Sequence, residues 1–173
     1  MRRVRYSVAM SLDAYIAGPN GEYDWLLMDP DIDFAAMTAR FDTYLIGRRS
    51  YEAAKRMGAS FEPADARWFV ISRTLRDVDP PGLTLVADVV PLVAKLRTEP
   101  GKDIWLFGGG DLFRSLLAAG LVDFVEVAII PTLLGAGIPL LPAPAPRARL
   151  TLTNQRVYAK TGTVLLEYAV VRA

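Results

Sequence analysis

Apolar positions recur near period two from Val4 to Ser11 with no breaker between them, which predicts a first strand. Ala17-Gly18-Pro19-Asn20-Gly21 then reads as a turn, because Gly and Asn accept positive φ. The period lengthens next. Phe34, Met37 and Phe41 recur at helical spacing behind Asp31 or Asp33 as a cap, predicting a helix over Asp31 to Phe41. Short apolar runs bounded by glycine or polar breaks predict strands over Thr43 to Ile46, Trp68 to Ile71, Leu83 to Val86 and Asp103 to Phe107. Helices fall between them. One spans Ser50 to Met57; a second runs from the cap Asp88 to about Arg97, with Val89, Leu92, Val93 and Leu96 inward. A third covers Asp111 to Ala119, with Leu112, Leu116 and Leu117 inward and Gly120 closing it. A long strand follows over Val122 to Ile130. Leu150 to Tyr158 and Thr163 to Val171 form a last hairpin, joined by Ala159-Lys160-Thr161-Gly162.

The count is eight strands and about four helices. Strands alternate with helices through the middle of the chain, which favours a mostly parallel sheet covered on both faces. The last hairpin adds an antiparallel edge. No repeat or linker divides residues 1–173, so one domain is expected. Val127 to Pro146 is uncharged and 20 residues long, the length of a membrane span. Its five prolines would break a helix repeatedly, so it reads as a buried strand and an irregular loop. The alternating Met-Arg-Arg-Val-Arg-Tyr start is unlike a signal peptide, and a cytoplasmic protein is expected.

A net charge of +1 points to neither nucleic acid nor an anionic membrane as partner. The absence of cysteine excludes disulfides and thiolate sites, and no metal site is expected. The absence of histidine excludes Ser-His-Asp catalysis and histidine bases. Chemistry then falls to carboxylates, hydroxyls, lysine, tyrosine, arginine or a borrowed cofactor, and hydride transfer suits that set.

Three turns carry the candidate chemistry. In Ile104-Trp-Leu-Phe-Gly-Gly-Gly-Asp-Leu-Phe, a buried strand meets Gly108, Gly109 and Gly110 and then a helix start with Asp111 and Leu112. Such a junction offers free N–H groups to a phosphate, or merely allows a tight turn. The Gly-x-Gly-x-x-Gly fingerprint is not met, since its third glycine falls on Phe113. In Leu45-Ile-Gly-Arg-Arg-Ser-Tyr-Glu, Gly47 precedes Arg48, Arg49 and Ser50 at a helix start, where cations oppose the helix dipole unless an anion sits there. Ser72 and Arg73 follow a third strand. In a parallel sheet all three turns lie at the carboxyl ends of strands, the edge where open α/β sheets bind ligands. Asp13 ends the first strand near that edge, as an acid or as a turn cap. Tyr15 could hydrogen-bond a substrate, and Asp24-Trp25 could supply a carboxylate and an aromatic wall.

Taken in order, Ser11-Leu-Asp-Ala-Tyr-Ile-Ala-Gly, Gly47-Arg-Arg-Ser-Tyr-Glu, Phe69-Val-Ile-Ser-Arg, Gly108-Gly-Gly-Asp-Leu-Phe and Leu121-Val-Asp…Ile130-Pro-Thr-Leu-Leu-Gly-Ala-Gly resemble the dihydrofolate reductase-like superfamily. The closer likeness is to the reductase domain of riboflavin-biosynthesis deaminase-reductases. The resemblance implies a three-layer α/β fold around an eight-stranded, mostly parallel mixed sheet. It implies NADPH across the strand ends: Arg48, Arg49 and Ser50 by the phosphates, Ser72 and Arg73 by the 2′-phosphate, and Gly108 to Leu112 at the pyrophosphate. It implies a pterin- or pyrimidine-like substrate in a pocket lined by Ala9, Asp13, Ile16, Asp24 and Trp25. Water or a weak acid such as Asp13 would give the proton, and burial beside Trp25 would raise that acid's pKa where desolvation dominates. Homodimers are common in this group. Two positions depart from the riboflavin reductases: Tyr15 stands where they carry lysine, and Phe107 where they carry glutamate. Those departures point away from the ribosylaminopyrimidine substrate, and suit equally a nucleotide-binding module without catalysis. In dihydrofolate reductases a carboxylate on the first helix aids protonation; here Asp31 or Asp33 would serve.

Overall fold

The computed structural model describes residues 1–58, 60–61 and 65–172. Its elements in chain order are β1 (Val4–Ser11), β2 (Tyr15–Ala17), α1 (Phe34–Thr38), β3 (Phe41–Gly47), α2 (Arg48–Arg56), β4 (Arg67–Ile71) and β5 (Leu83–Val86). There follow α3 (Val89–Thr98), β6 (Asp103–Gly108), α4 (Gly110–Ala118), β7 (Phe124–Ile130), β8 (Ile138–Pro139), β9 (Arg149–Tyr158) and β10 (Thr163–Val171).

Eight strands form one sheet in the order β5-β4-β3-β6-β1-β7-β10-β9. The six from β5 to β7 are parallel, and β10 and β9 close the other end antiparallel, as the pattern predicted. The uncharged stretch resolves into β7, a loop and β8. The strand β8 pairs with β2 in a small ribbon of its own. Among the described residues no helix is long and apolar enough to cross a membrane.

Each face of the sheet has its own core. On one, Val4, Tyr6, Leu45, Ile104 and Leu106 pack under α3 and α4 through Val93, Leu96, Phe113 and Leu116. The Phe113 ring stacks on Tyr6 at 4.1 Å and docks α4 on the central strand. On the other, Phe41, Tyr44, Ile46, Trp68 and Trp105 pack under α2 through Tyr51, and Met37 of α1 joins them.

The first helix is shorter than its pattern. It ends at Thr38, because Phe41 starts β3 and pairs with Asp103 of β6. Helical spacing of Phe34, Met37 and Phe41 was thus helix for two members and strand for the third. The helix α2 also starts two residues earlier than read, at Arg48, so both arginines belong to it.

Candidate functional site

The connections around β3 and β6 create the site. These strands are neighbours, yet β3 leads into α2 on one face and β6 leads into α4 on the other. Neighbouring exits to opposite faces leave a crevice at the carboxyl rim. A cleft of about 1820 Å³ opens there and runs across the face that carries α2. Single small-molecule pockets usually hold roughly 300–1,000 Å³, so this one has room for two ligands side by side.

The rim brings the three turns together. Gly47, Arg48, Arg49, Ser50, Ser72, Arg73, Gly108, Gly109, Gly110, Asp111 and Leu112 all line the cleft. The glycine turn touches the arginine turn: a Cβ on Gly109 would stand 3.3 Å from Ser50 Oγ, and one on Gly47 would stand 3.4 Å from the Gly108 carbonyl. Both helix starts, Gly47 for α2 and Gly109 for α4, lack a side-chain cap, so the leading N–H groups of each first turn stay available, while Leu112 N–H donates to the Gly109 carbonyl. The first turn of α2 has no acid to balance Arg48 and Arg49. These arginines are exposed, with only long contacts to Glu52 (3.9 Å) and Asp111 (3.8 Å). Ser72 is tied down, its Oγ accepting from the N–H of Thr74 and Leu75.

The three glycines have separate jobs. Gly108 sits at φ 149°, a conformation that side chains resist. Gly109 leaves space beside Ser50. Gly110 packs so tightly that a Cβ would meet the Pro139 carbonyl and Pro142 at 2.7 Å.

The substrate-side candidates divide. Ala9 and Ile16 line the cleft, and Ile16 Cδ1 reaches to 4.0 Å from a Cβ built on Gly109. Asp13, Tyr15, Asp24 and Trp25 do not line it. The Asp13 carboxylate faces the Thr132–Gly135 loop instead. It accepts from Ser11 Oγ (2.6 Å), from Leu134 N and from Gly135 N (2.7 Å). The Ser11 hydrogen bond, with those N–H groups, holds its pKa below the usual carboxylate value, the reverse of the rise expected from burial. Trp25 donates its indole N–H to the Glu22 carbonyl. Of the two acids at the first helix, Asp33 caps α1 and lines the cleft, whereas Asp31 pairs with Lys160 at 2.6 Å.

Sequence reasoning passed over the polar floor. Ser7, Glu126, Glu167 and Arg40 all line the inner end of the cleft. Glu126 is buried and receives Arg5 and Arg40 on Oε1, each at 2.6 Å, and Ser7 Oγ on Oε2 at 2.5 Å. Arg5 is shared with Asp103 at 2.6 Å. The signal was present: Glu126 and Glu167 are single charges inside otherwise apolar strands.

The sequence profile of the RibD C-terminal domain matches residues 2–165, and the chain belongs to that family. It is 35% identical to the uncharacterised protein YyaP of Bacillus subtilis, over 96% of this chain and 94% of that one. A protein of Shewanella sp. PV-4 provisionally assigned to riboflavin biosynthesis superposes with a TM-score of 0.83 at 25% identity, covering 99% of this chain and 100% of that one. Dihydrofolate reductase of Enterococcus faecalis, solved with NADP(H) and RAB-propyl, shares the fold at a TM-score of 0.72 and 16% identity, over 98% and 97% of the two chains.

Proposed function

We propose that this member of the RibD C-terminal domain family is an NADPH-dependent reductase of a small pterin- or pyrimidine-like heterocycle. The observation that carries the reading is the contact of the Gly47–Ser50 turn with the Gly108–Gly109 turn at one rim, both opening into a cleft large enough for two ligands.

The residues present fit the nucleotide. Arg48, Arg49 and Ser50 would hold its phosphates, which relieve two cations placed against a helix dipole. The uncapped start of α4 and the side-chain-free Gly108 and Gly109 would take the pyrophosphate. Ser72 and Arg73 would lie by the 2′-phosphate. NADPH, when bound, supplies the hydride. Ala9, Ala128 and Leu165 give the substrate ring a flat apolar floor. Tyr23, Leu27, Met28 and Phe34, exposed apolar residues on the cleft wall, exclude water once the ring is seated. Asp13, saturated by its hydrogen bonds, positions the Ser11–Tyr15 turn, and the proton comes from water. The same reading makes the protein a homodimer. The unpaired outer edge of β9 supports this, and sedimentation velocity tests it.

Oxidation of NADPH with a panel of pterins and pyrimidines tests the function. Turnover of one of them is expected. Tight NADPH binding without turnover of any would favour the non-catalytic module, and no binding at low salt would overturn both.

A further inference from the structure

We propose that the inner end of the cleft reads one edge of the substrate ring, with Arg40 donating to a ring carbonyl and Glu167 accepting from the neighbouring ring N–H. The inference rests on the reductase reading for its substrate class, and narrows that class to rings with a lactam edge, such as 2-amino-4-oxopteridines.

Two unfinished polar groups carry it. Strand register sets Glu167 of β10 directly opposite Glu126 of β7, and like charges in that relation repel. Glu126 is compensated by Arg5 and Arg40. Glu167 is not. Its carboxylate accepts one hydrogen bond, from Asn154 Nδ2 at 3.2 Å, and has no cation within ion-pair distance among the described residues. Arg156 is the nearest cation along β9. Its guanidinium is turned instead to the Asp31 carbonyl (3.5 Å) and the Tyr158 ring (4.6 Å). A half-buried carboxylate on the cleft floor is left wanting a donor.

Arg40 is the complementary case. One Nη holds Glu126, while its Nε and other Nη have no hydrogen-bond partner among the described residues, and the side chain is 35% exposed. An ionic cluster in a sheet face costs more than apolar packing of the same volume. Here the alternating series Asp103, Arg5, Glu126, Arg40 fixes a guanidinium against the cleft with one edge free. Nearer the rim by one pleat, about 7 Å, the floor is Ala9, Ala128 and Leu165. A flat ring lying on those residues, below the glycine turn, meets Arg40 and Glu167 with its far edge. Arg40 bonds Glu126, and Glu167 stands opposite Glu126 in register, so a donor and an acceptor flank Glu126; they match a C=O next to an N–H, and reject an edge with that nitrogen blocked.

Trp68 and Trp105 line the cleft, so quenching of their fluorescence reports binding without nucleotide. Pterin and N3-methylpterin are titrated into the wild type, Glu167→Gln and Arg40→Met. N3-methylation is expected to weaken wild-type binding about tenfold or more. Glu167→Gln should bind pterin about tenfold more weakly and separate the two compounds less, since its amide oxygen is a weaker acceptor than a carboxylate. Arg40→Met should weaken both alike, because both keep the carbonyl. Equal binding of the two compounds by the wild type, unchanged pterin binding by Glu167→Gln, or no pterin binding at all overturns the proposal. The wild-type comparison needs no variant, so misfolding cannot obscure it. NADPH titrated on the same samples separates the two readings. Its failure to bind the wild type overturns the nucleotide site, whereas NADPH binding with pterin indifferent to N3-methylation overturns only this edge.

Discussion

At the scale of single residues, the nucleotide reading concentrates on two guanidinium groups that the fold compensates only at long range. Arg48 and Arg49 sit in the first turn of α2 with no acid in that turn and only long contacts to Glu52 and Asp111. Replacing both by alanine should weaken NADPH binding by roughly 10- to 100-fold or more, the lower range being that of one charged hydrogen bond. NADH affinity, measured on the same variant, should fall less, and an equal loss would place the 2′-phosphate away from these two arginines and leave it to Ser72 and Arg73. Asp13 makes a separate prediction about stability. Its folded pKa is depressed, first by the Ser11 hydroxyl and then by backbone N–H groups. The carboxylate therefore stabilises the fold above the unfolded value of about 3.9, and that contribution disappears as pH falls through the lower folded value. Melting temperatures of the wild type and Asp13→Asn should differ by a constant gap at neutral pH that closes below about pH 4. A gap that widens on acidification would contradict the placement of Asp13 on the Thr132–Gly135 loop.

At the scale of elements, each strand–turn–helix unit was readable because its information is local. Gly47 and Gly108 interrupt apolar runs, Asp88 caps α3 as its position suggested, and the break at Ile71-Ser72 ends β4. What could not be read was set by register. Nothing along the chain says that Glu126 faces Glu167, or that Arg40 reaches across to the carboxylate of a strand 86 positions away. The ribbon of β2 and β8 escaped for a similar reason, since two or three residues with a proline carry no period. The third glycine of the turn shows how far local reading went. Gly110 reads as part of a phosphate loop, and its lack of a side chain is also demanded by the Pro139 carbonyl and the Pro142 ring at its back. Gly110→Ala should destabilise the protein by about 1–3 kcal/mol through overpacking, despite alanine's better helix propensity. Chemical denaturation measures it, and an unchanged or raised stability would show that the β8 loop does not brace α4.

At the scale of the whole molecule, the cleft is where two separate cores meet. The helix α2 is anchored by Tyr51 in one, and α4 by Leu112, Phe113 and Leu116 in the other. The turns that start them meet at Gly47, Ser50, Gly108 and Gly109. A nucleotide held by Arg48 and Ser50 on one side and by the start of α4 on the other would tie the two faces across that seam. Binding to the folded state alone adds about 2.7 kcal/mol at a hundredfold excess over Kd. For a chain of this size that is a rise of about 5–10 °C in Tm. A ligand lodged anywhere would raise Tm equally, so the location has to be read by hydrogen exchange. NADPH should slow exchange in the first turns of α2 and α4 together, because each supplies part of one site. Protection confined to one of the two helices would mean that the arginine turn and the glycine turn, although in contact, do not share a ligand.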